Sequence, residues 1–417
     1  MLIEMNVTNF RSFKEKQTFS MVKAKGNELP DNAFTAQMSS GKSIDLLHSA
    51  AIYGANASGK SNFLHALYTM ERIVTKQKEN LPVVPFRLHT EYKNKPTEFE
   101  VTVLIDGIRY QYGFSATEKQ IYDEWLFVYP KGKAQTWFER EWKEEKQDYK
   151  WSFSNHLTGE KQLWKKATRN NMLFLSTVSQ VFEKSNEKIK LLFNWFKETL
   201  QFAGSGNLGD SLVTISMCEK NEEIKKDILK YLKIADFNIC DIDIKKEDIN
   251  LPVDIPQELK ELISFGEKKV LFAHQNNNQE QVFFDWEDDE STGTKRFFSI
   301  SGVWLDILKN GHIVFVDELN NSMHPKLVQF LVELFHNKKT NPKNAQLIFT
   351  THDTTILNQN VFRRDQIWFC EKNQDNATTL YPLSDFHPRK KFENLEAAYL
   401  SGRYGALPFI QPFHLGE

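Results

Sequence analysis

This chain has few cysteines, no long apolar run and no large excess of positive or negative charge. Its 417 residues include 3 cysteines, whose spacing matches no metal site and fits a reducing compartment. No apolar run approaches the ~20 residues that a membrane span needs, and the first apolar stretch, interrupted by Glu4, is too short for a signal peptide. A formal net charge of −2 provides no general attraction for nucleic acid. We therefore expect a cytoplasmic protein without a membrane contact.

Sustained heptads and internal repeats are also missing, so neither a long coiled coil nor a solenoid is expected. What the chain does have is an ordinary globular composition, with 40% hydrophobic and 26% charged residues. Its length is sufficient for two or three domains with a sizeable core. The informative features are therefore local motifs.

The clearest motif is the stretch GANASGKS at residues 54–61, which fits the pattern G-x-x-x-x-G-K-[ST]. A β-like apolar run precedes it and an apolar pattern of helical spacing follows, so strand, loop and helix occur in the required order. This context outweighs a chance match in a glycine-containing turn. The glycines let the loop turn its N–H groups inward, and the helix start adds its positive dipole end. Together these features predict a phosphate cradle.

Within this cradle, Lys60 is expected to reach the β- and γ-phosphates of ATP, and the Ser61 hydroxyl is expected to ligate Mg²⁺. The predicted nucleotide contacts of the loop and helix start are Gly54, Asn56, Ala57, Ser58, Gly59, Lys60, Ser61 and Asn62. We therefore predict ATP and Mg²⁺ as the cofactors.

A second motif is a short apolar run, residues 313–316, that ends in Asp317 and Glu318. Its β-branched residues are typical of a buried parallel strand, and the carboxyl ends of such strands are where α/β sheets bind ligands. Asp317 is predicted to hold Mg²⁺, directly or through water, and Glu318 to polarise the attacking water. A strand end that merely reaches solvent has the same pattern, but the phosphate loop requires such a pair.

A third apolar run, residues 345–349, is closed by Thr350, Thr351 and His352. His352 again lies at the carboxyl end of a predicted strand, so it is expected to contact the γ-phosphate and the attacking water. The alternative for a single histidine is a structural role. Its place one helix after the Asp317 strand favours the catalytic interpretation.

The fourth motif, STGT at residues 291–294, leads into an apolar helix shortly before the Asp317 strand. The start of such a helix can receive an anion, which makes Ser291 and Gly293 candidate nucleotide contacts. The simpler interpretation is an N-capped helix with Ser291 or Thr292 as the cap.

In this order, the four motifs resemble those of the head of an ABC-type ATPase. In that resemblance, residues 291–294 look like a divergent signature motif, residues 320–325 like the D-loop, and His352 like the switch histidine. The resemblance implies a head-to-tail pair of heads with two ATP molecules between them. Thr294 departs from the family, which often has glutamine there, and no convincing Q-loop glutamine is present.

The N-terminal stretch NFRSF, residues 9–13, is similar to the first strand of SMC-like and OLD-like ATPases. This resemblance implies that Arg11 and Ser12 lie near the nucleotide. Further stretches at residues 85–114, 121–130 and 401–410 look like the small prokaryotic AAA/ABC ATPases of the OLD-like group, and within it like the RloA-like and PARIS-type ATPases of phage-defence loci.

Membership of that group implies an ATPase that senses phage infection and controls a partner effector in abortive infection. OLD nucleases carry a C-terminal Toprim domain, but only about 65 residues follow His352, fewer than an ordinary domain needs. Any nuclease activity is therefore expected in a separate protein encoded nearby. A phage-derived trigger and nucleic acid are further candidate partners.

The predicted fold class is α/β: an ABC-type P-loop ATPase head, with a mixed sheet and flanking helices, plus a β-rich lobe and a helical insertion. We expect an N-terminal ATPase lobe at residues 1–158, the helical insertion at 159–281, and a C-terminal ATPase lobe at 282–417. Asp106 and Gly107 are predicted to form the turn of a β-hairpin in the first lobe.

Three functions fit these motifs. The first is an ATPase that dimerises, or forms a higher homo-oligomer, around ATP and acts as a sensor and scaffold for a nuclease-like or toxin-like effector. The second is an SMC-like ATPase that clamps or repairs DNA, which calls for a long coiled coil and a basic surface. The third is the energising subunit of a transporter, which needs a membrane partner. The absent coiled coil and the NFRSF stretch favour the first.

Overall fold

Two large β-sheets form the framework of the molecule, a mainly parallel sheet of six strands and an antiparallel sheet of seven. The computed structural model describes residues 1–76, 78–182, 186–203, 208–235, 237–246, 268–389 and 393–408. Within these ranges, no helix has the length and apolar character needed to cross a membrane.

The strands are β1 Leu2–Thr8, β2 Gln17–Ser20, β3 Ala33–Gln37, β4 Ser43–Leu47, β5 Ser49–Gly54, β6 Thr97–Ile105, β7 Ile108–Ala116, β8 Ile121–Tyr129, β9 Gln135–Lys143, β10 Asp148–Phe153, β11 Leu200–Ala203, β12 Ile239–Lys246, β13 Lys268–Gln275, β14 Gln281–Asp285, β15 Ile313–Val316, β16 Gln346–Thr350, β17 Ile367–Lys372 and β18 Thr378–Pro382. The helices are α1 Lys60–Thr75, α2 Lys161–Ala167, α3 Phe174–Val181, α4 Glu187–Asn194, α5 Leu208–Lys220, α6 Glu222–Ile234, α7 Thr292–Asn310, α8 Pro325–His336 and α9 Leu395–Leu400.

The six-stranded sheet has the order β11-β15-β16-β5-β17-β18. The first five strands run parallel to their neighbours, and β18 is antiparallel to β17. Strand β5 is buried along its whole length: Ala50 and Ile52 enter one hydrophobic core, while Ala51 and Tyr53 enter the other. Since both faces are covered, the sheet has the arrangement expected of a parallel α/β layer.

The predicted P-loop α/β head is confirmed by this topology. Helix α1 follows β5 directly and packs on the first core through Phe63 and Leu67, whereas α7 and α8 contribute to the second core. Because the strands are parallel, the loops after β5, β15 and β16 all leave from the same edge of the sheet.

The antiparallel sheet, in the order β10-β9-β8-β7-β6-β1-β2, is the β-rich lobe. The predicted hairpin turn is confirmed: Asp106 and Gly107 have φ values of 49° and 73° and join β6 to β7, which is the primed-turn geometry. A fully buried ion pair, with Arg140 Nη2 2.9 Å from Glu124 Oε2, lies under this sheet. The Glu124 carboxylate also accepts the N–H groups of Phe174 and Leu175 at the start of α3, so it attaches the lobe to the following helices.

The predicted helical insertion, residues 159–281, contains helices α2 to α6 as expected, but it also contributes strands. Strand β11 joins the edge of the parallel sheet beside β15, and β12 and β13 form an antiparallel sheet with β14. The described part of the insertion is therefore integrated into the ATPase sheet instead of standing apart as a purely helical unit. Its apolar helix faces, such as Ile228 and Leu232 of α6, are buried in the second core.

A buried polar network lies at the end of the parallel sheet that is opposite the P-loop. The Ser49 hydroxyl is 2.8 Å from His336 Nε2 and accepts a hydrogen bond from Gln366 Nε2 at 2.8 Å. Nearby, the amide of Asn341 is 3.2 Å from His48 Nδ1. Burial lowers the pKa of His336 to about 3 and that of His48 to about 4, so both imidazoles are neutral in the folded protein.

Acidification is expected to destabilise the fold through these histidines. Below their unfolded pKa of about 6.5 the unfolded chain binds more protons than the folded one, so the free energy of unfolding falls as the pH drops toward about 4. Between about pH 7 and about pH 5 the loss is about 2 kcal/mol for each histidine. Urea denaturation at the two pH values measures it. The variant His336→Gln, which keeps a hydrogen-bonding partner for Ser49, should lose about half of this pH dependence; an unchanged pH dependence would contradict the assignment.

Candidate nucleotide-binding site

The loop between β5 and α1 has the backbone shape of a phosphate cradle. Gly54, Ala57 and Gly59 have φ values of 153°, 62° and 114°, which lie in the region that glycine adopts most easily. A Cβ on Gly59 would collide with the side chain of Thr378. Glycine is therefore required at position 59 by the close approach of β18 as well as by the bend of the loop.

Lys60 lies inside this loop and is only 5% exposed. Its Nζ donates to the carbonyl oxygens of Gly54 at 2.8 Å and Ala55 at 2.9 Å. Burial lowers the pKa of Lys60, and the neighbouring Asp317 and Glu318 carboxylates act in the opposite direction. The lysine is therefore held among the loop carbonyls, within electrostatic range of both acids.

The other loop residues leave polar groups for a ligand. Ser58 is buried, and within the described residues its Oγ has no hydrogen-bond partner. Asn56 and Ala57 are exposed, while Ser61 and Asn62 are half-buried at the start of α1. An unpartnered buried hydroxyl is costly unless something binds it, so the Ser58 hydroxyl is available to donate to a phosphate oxygen.

Asp317 and Glu318 follow β15 and are held by one hydroxyl from the next strand. Thr350 Oγ1 donates to Asp317 Oδ1 at 2.6 Å and accepts the N–H of Glu318 at 2.8 Å. Glu318 has a φ of 52°, a left-handed conformation that costs roughly 1–2 kcal/mol in a residue with a side chain. Thr350 therefore compensates for this strain, fixes the direction of the Asp317 carboxylate and holds the backbone of Glu318 in place.

His352 lies beside Glu318, with its Nε2 3.6 Å from Glu318 Oε1 and with about a third of its side chain exposed. Partial burial lowers the pKa of His352, and the charge of Lys60 lowers it further. The neutral imidazole is therefore favoured near neutral pH. The loop that carries His352 is tied to the D-loop, because the Thr351 hydroxyl donates to Asn320 Oδ1 at 2.9 Å.

Arg11 and Ser12, expected near the nucleotide from the resemblance, lie against the start of α1. Ser12 Oγ accepts hydrogen bonds from Asn62 Nδ2 and from Thr378 Oγ1, both at 2.8 Å. Arg11 Nη1 is 3.4 Å from Asn62 Oδ1. Thr378 Oγ1 is also 2.7 Å from the carbonyl oxygen of Ser58, so the turn that carries Arg11 and Ser12 supports the P-loop from outside.

Ser291 and Gly293 lie at the start of helix α7. Ser291 caps α7, and its Oγ accepts the N–H of Thr294 at 3.1 Å. A Cβ on Gly293 would lie 3.2 Å from the carbonyl oxygen of Ser322 in the D-loop. The predicted N-cap is therefore confirmed for Ser291, and the nucleotide contact of this turn stays a prediction.

A cavity of about 640 Å³ opens beside the P-loop, which is within the range of ligand pockets. Gly54, Asn56 and His352 line one side, and Tyr399 and Leu407 of the C-terminal segment line the other. ATP fits the donors of this edge, because the P-loop offers N–H groups, Lys60 and the free Ser58 hydroxyl. Mg²⁺ usually takes one or two protein oxygens plus phosphate and water, and the oxygens of Ser61 and Asp317 are of the kind that would hold it.

Two threonines at this edge were not predicted as site residues. The sequence predicts Thr350 only as the end of a strand. Thr378 lies on β18, far along the chain from the P-loop. The only sequence feature that points to Thr350 is its hydroxyl at the end of the strand that follows the Asp317–Glu318 pair. Thr378 carries no such signal, because its contact with Ser12 spans 366 residues.

Removing the Thr350 hydroxyl should take away the hydrogen-bond partner that Asp317 and Glu318 share, without opening a cavity. The variant Thr350→Val leaves the Glu318 N–H and one Asp317 oxygen without their partner, which costs about 1–3 kcal/mol and is expected to reduce ATP turnover about tenfold or more. Steady-state phosphate release and thermal denaturation measure the two effects. Thr350→Ser, which keeps the hydroxyl, should restore most of the turnover; equal rates for Val and Ser would refute the positioning role.

Comparison with known proteins places the chain in a family. A model of the family described as "AAA domain, putative AbiEii toxin, Type IV TA system" matches residues 49–358, which include every motif from the P-loop to His352. No curated protein matches the sequence.

Two solved structures resemble the fold. The SMC head domain from Thermotoga maritima aligns with a TM-score of 0.43 and 11% identity over 91% of this chain and 98% of that one. The recombination mediator protein RecF bound to ATP aligns with a TM-score of 0.37 and 14% identity over 91% and 97%. Because both scores are low, we draw no conclusion from either. The family match covers more than half of the sequence, and the chain therefore belongs to the AAA domain family of the putative AbiEii toxin type.

Proposed function

We propose that the protein is an ATPase that binds ATP with Mg²⁺ and hydrolyses it between two copies of the chain. The observation that carries this proposal is the convergence of four groups at one sheet edge. Lys60 and His352 are each within electrostatic range of both Asp317 and Glu318. These are the groups that phosphoryl transfer needs, because its catalysis consists mainly of positioning and charge stabilisation.

Each group has a distinct role in this proposal. The P-loop N–H groups and Lys60 would bind the β- and γ-phosphates. Ser61 and Asp317 would hold Mg²⁺, which would supply charge neutralisation at the phosphate oxygens. Glu318 accepts a proton from the attacking water. The neutral His352, 3.6 Å from Glu318, orients the same water or the γ-phosphate.

The position of the signature-like turn supports a site that two copies share. Ser291 caps its own helix and Gly293 lies close to the D-loop residue Ser322, whose carbonyl oxygen would be 3.2 Å from an added Cβ. The P-loop and the start of α1 are contacted by Thr378 and Ser12. A head-to-tail partner would present its Ser291 and Gly293 to the phosphates held by Lys60. ATP would then join the two copies and hydrolysis would release them.

We further propose that this cycle controls a separate effector in the prokaryotic cytoplasm, as part of antiviral abortive infection. The family description refers to a toxin and a toxin–antitoxin system, and the sequence resembles the RloA-like and PARIS-type members of the OLD-like group. Across the described ranges, no cluster of three or more His, Cys, Asp or Glu side chains is arranged to bind a metal ion. A metal-dependent nuclease partner would complement such a chain.

The variant Glu318→Gln tests the central step. It keeps the size of the side chain but removes the base, so turnover is expected to fall about 100-fold or more while ATP binding is retained. Size-exclusion chromatography with light scattering should show a dimer that persists with ATP and Mg²⁺. Lys60→Ala, which removes the phosphate ligand, should remain monomeric under the same conditions. Normal turnover in Glu318→Gln would exclude Glu318 from its role.

Mixing two inactive variants tests whether the site is shared. Ser291→Arg blocks the surface that one copy presents to its partner, and Lys60→Ala removes the phosphate ligand of the other. A mixed dimer then retains one intact site, so ATPase activity that neither variant shows alone should return on mixing, to at most about half of the wild-type rate because each mixed dimer has one of two sites. Activity of Ser291→Arg alone at the wild-type rate would show that each chain works by itself.

The effector is tested by co-expression with the product of the neighbouring gene. If ATP state controls the partner, the wild type and Glu318→Gln should differ in the amount of effector that co-purifies, because a ligand shifts an equilibrium only when it binds one state more tightly. Pull-down from the same culture, with ATP or ADP in the wash, measures the difference. Retention that is the same in both nucleotides and both variants would argue against a switch.

A further inference from the structure

A cavity of about 550 Å³ lies on the β-rich lobe, away from the lining of the nucleotide cavity. The loop before β6 forms one wall, and the turn between β7 and β8 forms the other. Its lining includes four cationic side chains, Arg87, Lys93, Lys95 and Lys119, and one carboxylate, Glu118. In a chain whose net charge is −2, this is a local concentration of positive charge that the composition does not reveal.

Most of this charge is not neutralised by the surrounding protein. All four cationic side chains are exposed. Lys95 is 3.7 Å from the exposed Glu91 and lies 4.6 Å from the centre of the Tyr92 ring. For Arg87, Lys93 and Lys119, the described residues provide no ion pair. Like charges held around one concave surface repel each other, and an anion that enters between them relieves that repulsion.

The cavity is more than a charged surface, because part of its wall is apolar. Val83 and Ala116 are buried there, and Pro85 is half-buried. A ligand with phosphate groups and a small apolar part, such as the sugar of a nucleotide unit, matches a cationic rim beside the half-buried Pro85. A purely acidic peptide would use the rim but not the wall.

The same loop is fastened to the turn that supports the P-loop. Asn9 is 2% exposed; its Nδ2 donates to the carbonyl oxygens of Tyr92 and Lys95 at 3.0 and 2.9 Å, and its Oδ1 accepts the N–H of Phe86 at 3.0 Å. Two residues later, the N–H of Arg11 donates to the carbonyl oxygen of Val84 at 2.7 Å. One short turn, residues 9–12, therefore contacts both the wall of the cavity and the start of α1 beside the P-loop.

We propose that this cavity is a second ligand site, which binds the phosphate groups of a nucleotide-containing ligand and is coupled to the P-loop through residues 9–12. The ligand is either a free nucleotide or a nucleotide unit of a single strand, since both present the same chemistry. Binding at the cavity rests on its own charges and shape. The coupling rests on the proposed function, because it requires the P-loop to bind ATP. By thermodynamic linkage, occupancy of the cavity changes the affinity for ATP by the factor by which ATP changes the affinity for the ligand.

The test uses the full chain and two probes, a fluorescein-labelled ten-residue oligothymidylate and thymidine 5′-monophosphate as the competitor. The double variant Arg87→Glu and Lys119→Glu reverses two exposed charges at the cavity. The matched control, Lys131→Glu and Lys133→Glu, makes the same change in net charge at the exposed turn between β8 and β9. Anisotropy titration without ATP, at two salt concentrations, measures binding of the probe, and the comparison of the cavity variant with the control variant assigns that binding to the cavity and not to the P-loop.

We expect the wild type and the control variant to bind alike, with an affinity that falls as salt rises, and the cavity variant to bind at least about tenfold more weakly. Competition by the mononucleotide identifies a free nucleotide as sufficient, whereas binding of the oligonucleotide alone identifies the strand; both support the site. Absent binding by the wild type, equal binding by all three proteins, or displacement by polyglutamate at lower concentration than by nucleotide would overturn it.

The coupling is measured separately, as the affinity of the wild type for a fluorescent ATP analogue with and without saturating oligonucleotide. A change of about fivefold or more in either direction is expected, and it should vanish in the cavity variant. An unchanged ATP affinity would overturn the coupling while leaving the cavity site in place. Loss of ATP binding in all conditions would instead refute the proposed function, so the failures are distinguishable.

Discussion

The site depends above all on how three parallel strands are held together where they end. The N–H of Leu319 donates to the carbonyl oxygen of Thr350 at 3.1 Å, and the N–H of Thr351 donates to that of Ile52 at 3.2 Å. These hydrogen bonds continue the ladder just beyond β15, β16 and β5, so the three following loops leave the sheet side by side. Without this register, an acid pair, a histidine and a phosphate loop from distant parts of the sequence would not face one ligand.

Conformational strain is concentrated at the same edge and is compensated by side chains from neighbouring strands. Glu318 and Ala57 both have positive φ values, which cost a residue with a side chain roughly 1–2 kcal/mol. The Thr350 hydroxyl accepts the Glu318 N–H, and Thr378 contacts the carbonyl oxygen of Ser58 next to Ala57. Because the strain persists only while these contacts exist, the neighbouring strands help to set the shape of the site.

The parts of the fold and site that could be predicted from the sequence are those that local rules determine. The glycine-rich loop, the apolar strand before Asp317 and the Asp106–Gly107 turn each carry their whole signal within a few residues. Strand β11 could not be foreseen, because its four residues, Leu200–Ala203, continue an apolar helical pattern and become a strand only by pairing with β15. Thr378 could not be foreseen either, since only the pairing of β17 with β5 and β18 brings it to the P-loop. The conformation of β11 and the position of Thr378 are determined by pairing with strands that are distant in the sequence, not by local propensity.

The turn at residues 9–12 explains why an ATPase head would keep its β-rich lobe so close. Ser12 contacts the start of α1, and Asn9 holds the loop that lines the cationic cavity. Both contacts come from one tight turn in which Asn9 and Arg11 have positive φ values of 51° and 49°, so the turn has little freedom to adjust one end alone. In the coupling proposed above, a displacement of the lobe would be transmitted to the P-loop, and a nucleotide that fixes the P-loop would restrain the lobe. Coupling of about 1–3 kcal/mol, typical of linked sites, would be sufficient for ATP to change the affinity of the lobe for the proposed ligand.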